Sequence, residues 1–264
     1  MRRIARIIIR FTIIFLLLLV IFVLFMLNPQ IMYANKHNYR GISVYSALPY
    51  DTAYNKVFDK AISLVQNSEI YDSTFKLDVF LNDGSKFPKI LRGIYGDAYA
   101  WGYHNNIILN GKPDFSFQWI ALNGFNRQMA RTVAHEMVHC YQYNALGLFH
   151  SRPLKNIPIW KWEGYAEYVC YKSTQTDEKE ILRENIGRLI NYENEGFQYA
   201  QTFVDEGSSF LGTTYLKFWL LVKYEMDIKG LSFKQLLDNS ITESQAYNEM
   251  RAWYDKDADS TLRH

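Results

Sequence analysis

Within Thr132-Val133-Ala134-His135-Glu136-Met137-Val138-His139-Cys140, two histidines stand four residues apart with a glutamate beside the first. On a helix that spacing puts both imidazoles on one face, one turn apart. Two such side chains can share a tetrahedral Zn²⁺, with Glu136 next to the coordination position left open. The chemistry implied is metal-assisted hydrolysis. Met129, Ala130, Val133, Ala134, Met137, Val138 and Tyr141 fall at helical spacing, and Gly124 and Gly147 bracket the run, which predicts a core helix over about Phe125–Ala145. Titratable groups are costly in such a helix unless they are paired or bound to an ion. A metal accounts for His135, Glu136 and His139 together.

Two histidines need a further ligand. Pro158 precedes Trp160-Lys161-Trp162-Glu163-Gly164-Tyr165-Ala166-Glu167-Tyr168, which predicts a second helix, over about Trp162–Lys172. Glu163 and Glu167 are one turn apart. Glu163 can complete a His₂Glu site with water in the fourth position. Glu167 can accept a hydrogen bond from a ligand histidine and set its tautomer. Gly164 removes a side chain where two helices must pass closely. His150 is a rival third ligand. Cys140 and Cys170 are not needed as ligands; outside the cytoplasm they can form a disulfide, or they can stay as two buried thiols.

His-Glu-x-x-His followed by Trp-x-Glu-Gly-x-Ala-Glu-Tyr resembles the gluzincin metallopeptidases, the clan of thermolysin-like and aminopeptidase-N-like enzymes. The spacer between the motifs is somewhat longer here, with the extra residues around Leu148–Ile157. The resemblance implies a zinc peptidase acting on peptides or proteins. His135, His139 and Glu163 would hold Zn²⁺, Glu167 would support a ligand, and Glu136 would serve as general base. It also implies an oxyanion donor from the downstream helical region, for which Tyr215 is the first choice and Tyr199 the second. Gluzincins carry a hairpin before the zinc helix whose first strand pairs with the substrate backbone. Here Ala98, Tyr99, Ala100 and Trp101 would be that strand, with His104 in its turn. The segment that anchors a free amine in aminopeptidases has no clear counterpart, which points toward an endopeptidase.

Around these motifs the pattern predicts a helix over about Thr52–Gln66 and strands near Phe75–Leu81, Lys89–Tyr95, Asp97–Trp101 and Asn106–Leu109, with an Asn82-Asp83-Gly84 turn. Asp177 caps a predicted helix at about Glu178–Tyr192. Ser232-x-x-Gln235 and Thr242-x-x-Gln245 mark two more helix starts, and Phe210–Met226 reads as a buried helix. A small mixed sheet lobe followed by a mainly helical lobe is an α+β arrangement, and the resemblance implies the same gluzincin-like layout.

Phe11–Leu27 is apolar throughout apart from Thr12, long enough to span a bilayer core. Arg2, Arg3, Arg6 and Arg10 precede it, and the first acidic residue is Asp51. The positive-inside bias predicts a single-pass cell-membrane protein. Residues 1–10 would be cytoplasmic, 11–27 a transmembrane signal-anchor, 28–44 a spacer, and 45–264 an extracytoplasmic peptidase domain. A cleaved signal peptide is the competing reading; the long apolar run and the poor cleavage site after it favour an anchor. With 29 basic and 27 acidic residues the net charge is only +2, and no basic block interleaved with aromatics follows the anchor, so no nucleic-acid partner is expected. The alternative function is a catalytically silent, zinc-stabilised binding module, which would have no use for Glu136.

Overall fold

The first helix, α1 (Arg2–Leu27), stands out from the rest of the chain in a computed structural model that describes residues 2–172, 177–202 and 209–261. Its Arg6–Leu27 part is long and apolar enough to cross a membrane, and almost all of its length is exposed.

The sheet lobe begins earlier than the expected domain boundary. β1 (Asn35–Tyr39) and β2 (Ile42–Ser46) form an antiparallel hairpin that straddles the expected boundary at residue 45. Its Arg40-Gly41 turn has both residues at positive φ, which suits a tight hairpin. α2 (Tyr54–Val65) carries the chain to β3 (Leu77–Phe80), parallel to β2. β4 (Ala100–Tyr103) and β5 (Asn106–Leu109) follow as an antiparallel hairpin. The mixed sheet runs in the order β1-β2-β3-β5-β4, which leaves β4 at an edge.

The expected strand over Lys89–Tyr95 is instead a helix, α3 (Phe87–Tyr95). Pro88 sits in its first turn and Gly96, at φ 83°, ends it. Phe87 and Leu91, one turn apart, are fully buried. Periodicity of four overrode the β-like composition of a short run.

A second sheet, β6 (Lys112–Asp114), β7 (Trp119–Leu122) and β8 (Phe125–Gln128), precedes the motif helix. That helix, α4 (Met129–Leu146), therefore starts four residues later than expected. Asn123-Gly124 lies at φ 52° and 84° between paired Leu122 and Phe125, a two-residue hairpin turn. Gly124 begins a strand and not the helix. α4 is buried on all sides from Met129 to Gln142, as a helix crossing a core must be.

The helical lobe holds α5 (Ile159–Cys170) and α6 (Glu178–Glu195), the strands β9 (Tyr199–Thr202) and β10 (Ser209–Gly212), then α7 (Thr213–Lys223), α8 (Phe233–Asp238) and α9 (Glu243–Thr261). The buried helix expected over Phe210–Met226 is thus strand, then α7, then a π-helical turn at Tyr224–Ile228. The caps stand where expected. Asp177 accepts from Lys179 N at 2.8 Å, Ser232 and Gln235 form a capping box, and Thr242 and Gln245 do the same. The whole is α+β, with one core cluster joining the large sheet, α2, α4, α5 and α7.

Candidate metal centre in the cleft

α4 and α5 meet through their motif faces. His135 Nε2, His139 Nε2 and Glu163 Oε2 lie 3.0 to 3.3 Å from one another. Ligands about 2.0–2.1 Å from one tetrahedral ion would stand about 3.3 Å apart. These residues form the group that could hold a metal ion among the described residues.

The outward nitrogens decide which way the lone pairs point. His139 Nδ1 lies 2.8 Å from Gln142 Oε1, and the Gln142 amide donates to the Trp162 carbonyl at 3.1 Å. Gln142 therefore offers an acceptor, and His139 carries its proton on Nδ1. His135 Nδ1 lies 3.1 Å from Glu167 Oε1, within ion-pair range though not aligned as a hydrogen bond, and a carboxylate can only accept, so a proton on Nδ1 faces it. Both Nε2 lone pairs then face each other and the Glu163 carboxylate. Three converging acceptors repel unless a proton or a cation sits between them, so the donor set fits a metal.

The electrostatics say the same. Burial alone pushes His135 down, but the charge on Glu167, with Glu163 and Glu136, outweighs it and holds the imidazole up at about 10. His139 is raised as well: burial opposes, and Glu163 prevails. Burial would raise Glu163, yet His139 and His135 hold it far below the usual carboxylate range. Without metal this field retains protons on the imidazoles; a metal ion is the alternative positive charge.

Two supports were not among the expected residues. Arg127, on β8, donates from one Nη to both oxygens of Glu167, at 2.7 and 2.8 Å. Glu167 is fully buried, and Arg127 is what lowers its pKa against the opposing effect of burial. Gln142 stands three residues after His139, on the same helical face. That spacing is a signal a reader could use. Arg127 had none, since it arrives through the Asn123-Gly124 hairpin. Trp162 completes the setting by stacking on the His139 ring, with centroids 5.6 Å apart and planes 8° from parallel.

The cluster opens into a cleft of about 1240 Å³. Ala98, Tyr99, Ala100 and Trp101 all line it, although β4 itself starts only at Ala100. The Tyr99 carbonyl accepts from Asn110 N and Gly111 N, both at 2.9 Å, and the Ala98 carbonyl accepts from the Asn110 amide at 2.7 Å. Strand alternation then turns the main-chain groups of Ala100 and Gly102 away from β5, toward the cleft. Gly102 lies directly over Glu136. A methyl there would strike the Glu136 carbonyl at 2.5 Å and its carboxylate at 3.0 Å. Gly164 does a comparable service on α5, where a side chain would run into the backbone of Phe218 on α7.

Tyr215 and Tyr199 both line the cleft. Tyr215, in the first turn of α7, has its ring centroid 6.3 Å from that of His135, while Tyr199 stacks on Phe125 at 4.3 Å. Partial burial (38% of the residue stays exposed), then the carboxylates of Glu163 and Glu167, raise the Tyr215 phenol above its ordinary pKa. His150 sits in an exposed 3₁₀ turn outside the cluster, so the rival ligand is set aside. His104 is a turn residue at φ 54°. Cys140 and Cys170 are buried free thiols.

A family match supports a peptidase-like domain around this α+β cleft. Residues 90–208 match the family described as peptidase of plants and bacteria (BSP), a segment that includes α4, α5 and the β4–β5 hairpin. No curated protein and no solved structure matches the chain significantly.

Proposed function

We propose that the chain is a membrane-anchored zinc peptidase of gluzincin type. The observation that carries this reading is the convergence of three acceptor atoms at tetrahedral ligand spacing, directly beside Glu136 and under an edge strand. Two imidazoles and one carboxylate at this spacing suit zinc among the common metals. A zinc ion there would act as a Lewis acid on the scissile carbonyl and lower the pKa of the attacking water.

The chain's own residues do the rest. The outward main chain of Ala100 and Gly102 pairs with an extended peptide and lays its carbonyl over the cluster. Glu136 takes a proton from water as its oxygen bonds to the carbonyl carbon, and returns it to the amine nitrogen as the C–N bond breaks. Tyr215 donates its phenolic proton in a hydrogen bond to the developing oxyanion. Glu167 and Gln142 hold the two imidazoles in place, and Arg127 holds Glu167.

The anchor reading is supported by α1 and by the arginines before it, which favour a cytoplasmic N-terminus and an extracytoplasmic cleft. Retention of α1 is supported by its last turn, which is packed into the domain.

Metal analysis of the purified chain together with a peptide-library digest tests the reading. The expected result is about one zinc per chain with cleavage at interior peptide bonds. Zinc without cleavage anywhere in the library would favour the binding module instead.

A further inference from the structure

The membrane helix ends on the wall of the cleft. Met26 is buried with Phe80, Phe87, Leu91 and Ile108, and Phe25 meets Phe87 edge-on at 5.6 Å. The carbonyls of a helix's last turn lack intrahelical partners. Here two of them are satisfied by the β4–β5 hairpin: Tyr103 donates its hydroxyl to the Met26 carbonyl at 2.7 Å, and the Asn106 amide donates to that of Leu27 at 3.3 Å.

There is no slack after this contact. A 3₁₀ turn, Pro29–Met32, follows Asn28 at once, and β1 begins at Asn35. Pro29 is buried, and Met32 and Tyr33 pack against the same cluster as Met26. A flexible stalk would need a solvated linker, and these residues are part of the fold.

The same strand is the cleft wall. Trp101 and Tyr103 pack toward the anchor cluster and also line the cleft. Gly102, between them, covers Glu136. One residue of strand, about 3.3 Å, separates the position that grips the anchor from the one over Glu136. Tyr95 lines the cleft and is 64% exposed, and Ile31, just beyond the anchor, is 68% exposed. Exposed aromatic and aliphatic groups of this kind suit a bilayer interface.

Most of the charged groups described in the cleft are paired. Among the described lining residues, Asp97 is held by Arg92 and Asn123, Arg127 by Glu167, and Glu163 by the two histidines. Glu136 is the carboxylate among these described lining residues without such a partner.

We infer that the substrates are polypeptides embedded in the same membrane, cut at an interior bond in the stretch just outside the bilayer. The inference rests on the peptidase and anchor readings above. An extended segment of about 5–10 residues reaches roughly 17–36 Å beyond the end of a membrane helix. A cleft docked at the membrane surface meets such segments at high local concentration.

The test uses the full chain reconstituted in phosphatidylcholine vesicles containing one-fifth phosphatidylglycerol. Single-span substrates carry one susceptible peptide sequence at 8, 20, 40 or 60 residues outside the span, and the same peptide is also supplied free. The 8-residue substrate is expected to be cut at least about tenfold faster than the 60-residue one. A second enzyme carries Phe25→Ser, Met26→Ser and a 20-residue Gly/Ser linker after Leu27. Its rate on the free peptide should match the parent, which checks folding, and its preference for the near site should collapse. Equal rates across the series with the unmodified chain would overturn the inference while leaving the peptidase reading intact. No cleavage of any substrate, the free peptide included, would overturn both.

Discussion

Arg127 and Glu167 form a closed pair: one Nη nitrogen stands 2.7 and 2.8 Å from the two carboxylate oxygens, and the carboxylate has no solvent exposure. The pair joins β8 to α5, and its far side faces His135. A buried carboxylate is tolerable only with such a partner.

Arg127→Ala leaves that carboxylate uncompensated beside a ligand. It should lower stability by about 3–5 kcal/mol and weaken metal binding about 10–100-fold. Glu167→Gln should weaken metal binding to a similar extent. Thermal melts and competition with a chelator measure the two effects. Unchanged metal affinity in both variants would show that the pair has no hold on His135.

Glu136→Gln should reduce peptide cleavage by about 10²–10⁴-fold while the metal content stays at the parent value. Glu136 lies beside the three residues that could hold a metal without belonging to that group. Loss of the metal in this variant would place Glu136 in the coordination set and remove it as the base.

Tyr215→Phe should lower kcat by about 10²–10³-fold with little change in metal content. Tyr199→Phe should leave kcat nearly unchanged, because its ring is stacked on Phe125 and not turned to His135. Steady-state kinetics on one peptide separates the two; the reverse ranking would exchange their roles.

Metal uptake should release protons. His135 of the metal-free chain is held up at about 10, so it is protonated at neutral pH, and the ion must displace that proton. Apparent affinity should therefore rise as pH climbs toward 10, by up to about tenfold per pH unit for each proton displaced. Calorimetric titration in two buffers of different ionisation enthalpy counts the protons. A count of zero at pH 7.5 would contradict the charge state derived for the site.

Much of the site is written in local spacing. His135 and His139 are a turn apart whatever surrounds them, and so are Glu163 and Glu167. The caps at Asp177, Ser232 and Thr242 are equally local, which is why they stand where expected. The helix at Phe87–Tyr95 and the strand at Phe125–Gln128 differ from the expected elements for local reasons too. Pro88 and Gly96 bound the first, and Asn123-Gly124 turns the second.

Other relationships carried no mark in the chain. Nothing near Arg127 announces Glu167, 40 residues away, and nothing in Met26 announces the Tyr103 hydroxyl, 77 residues on. The amino-acid sequence by itself determined the two helical faces, their ligand types and the apolar α1. Only the tertiary structure decided that those faces meet at tetrahedral spacing, that Arg127 neutralises the buried Glu167, and that α1 ends on the cleft wall. The physical reason is that helical periodicity fixes neighbours within a turn. Contacts between distant segments depend instead on how the sheet, α4 and α5 bury their apolar surfaces together.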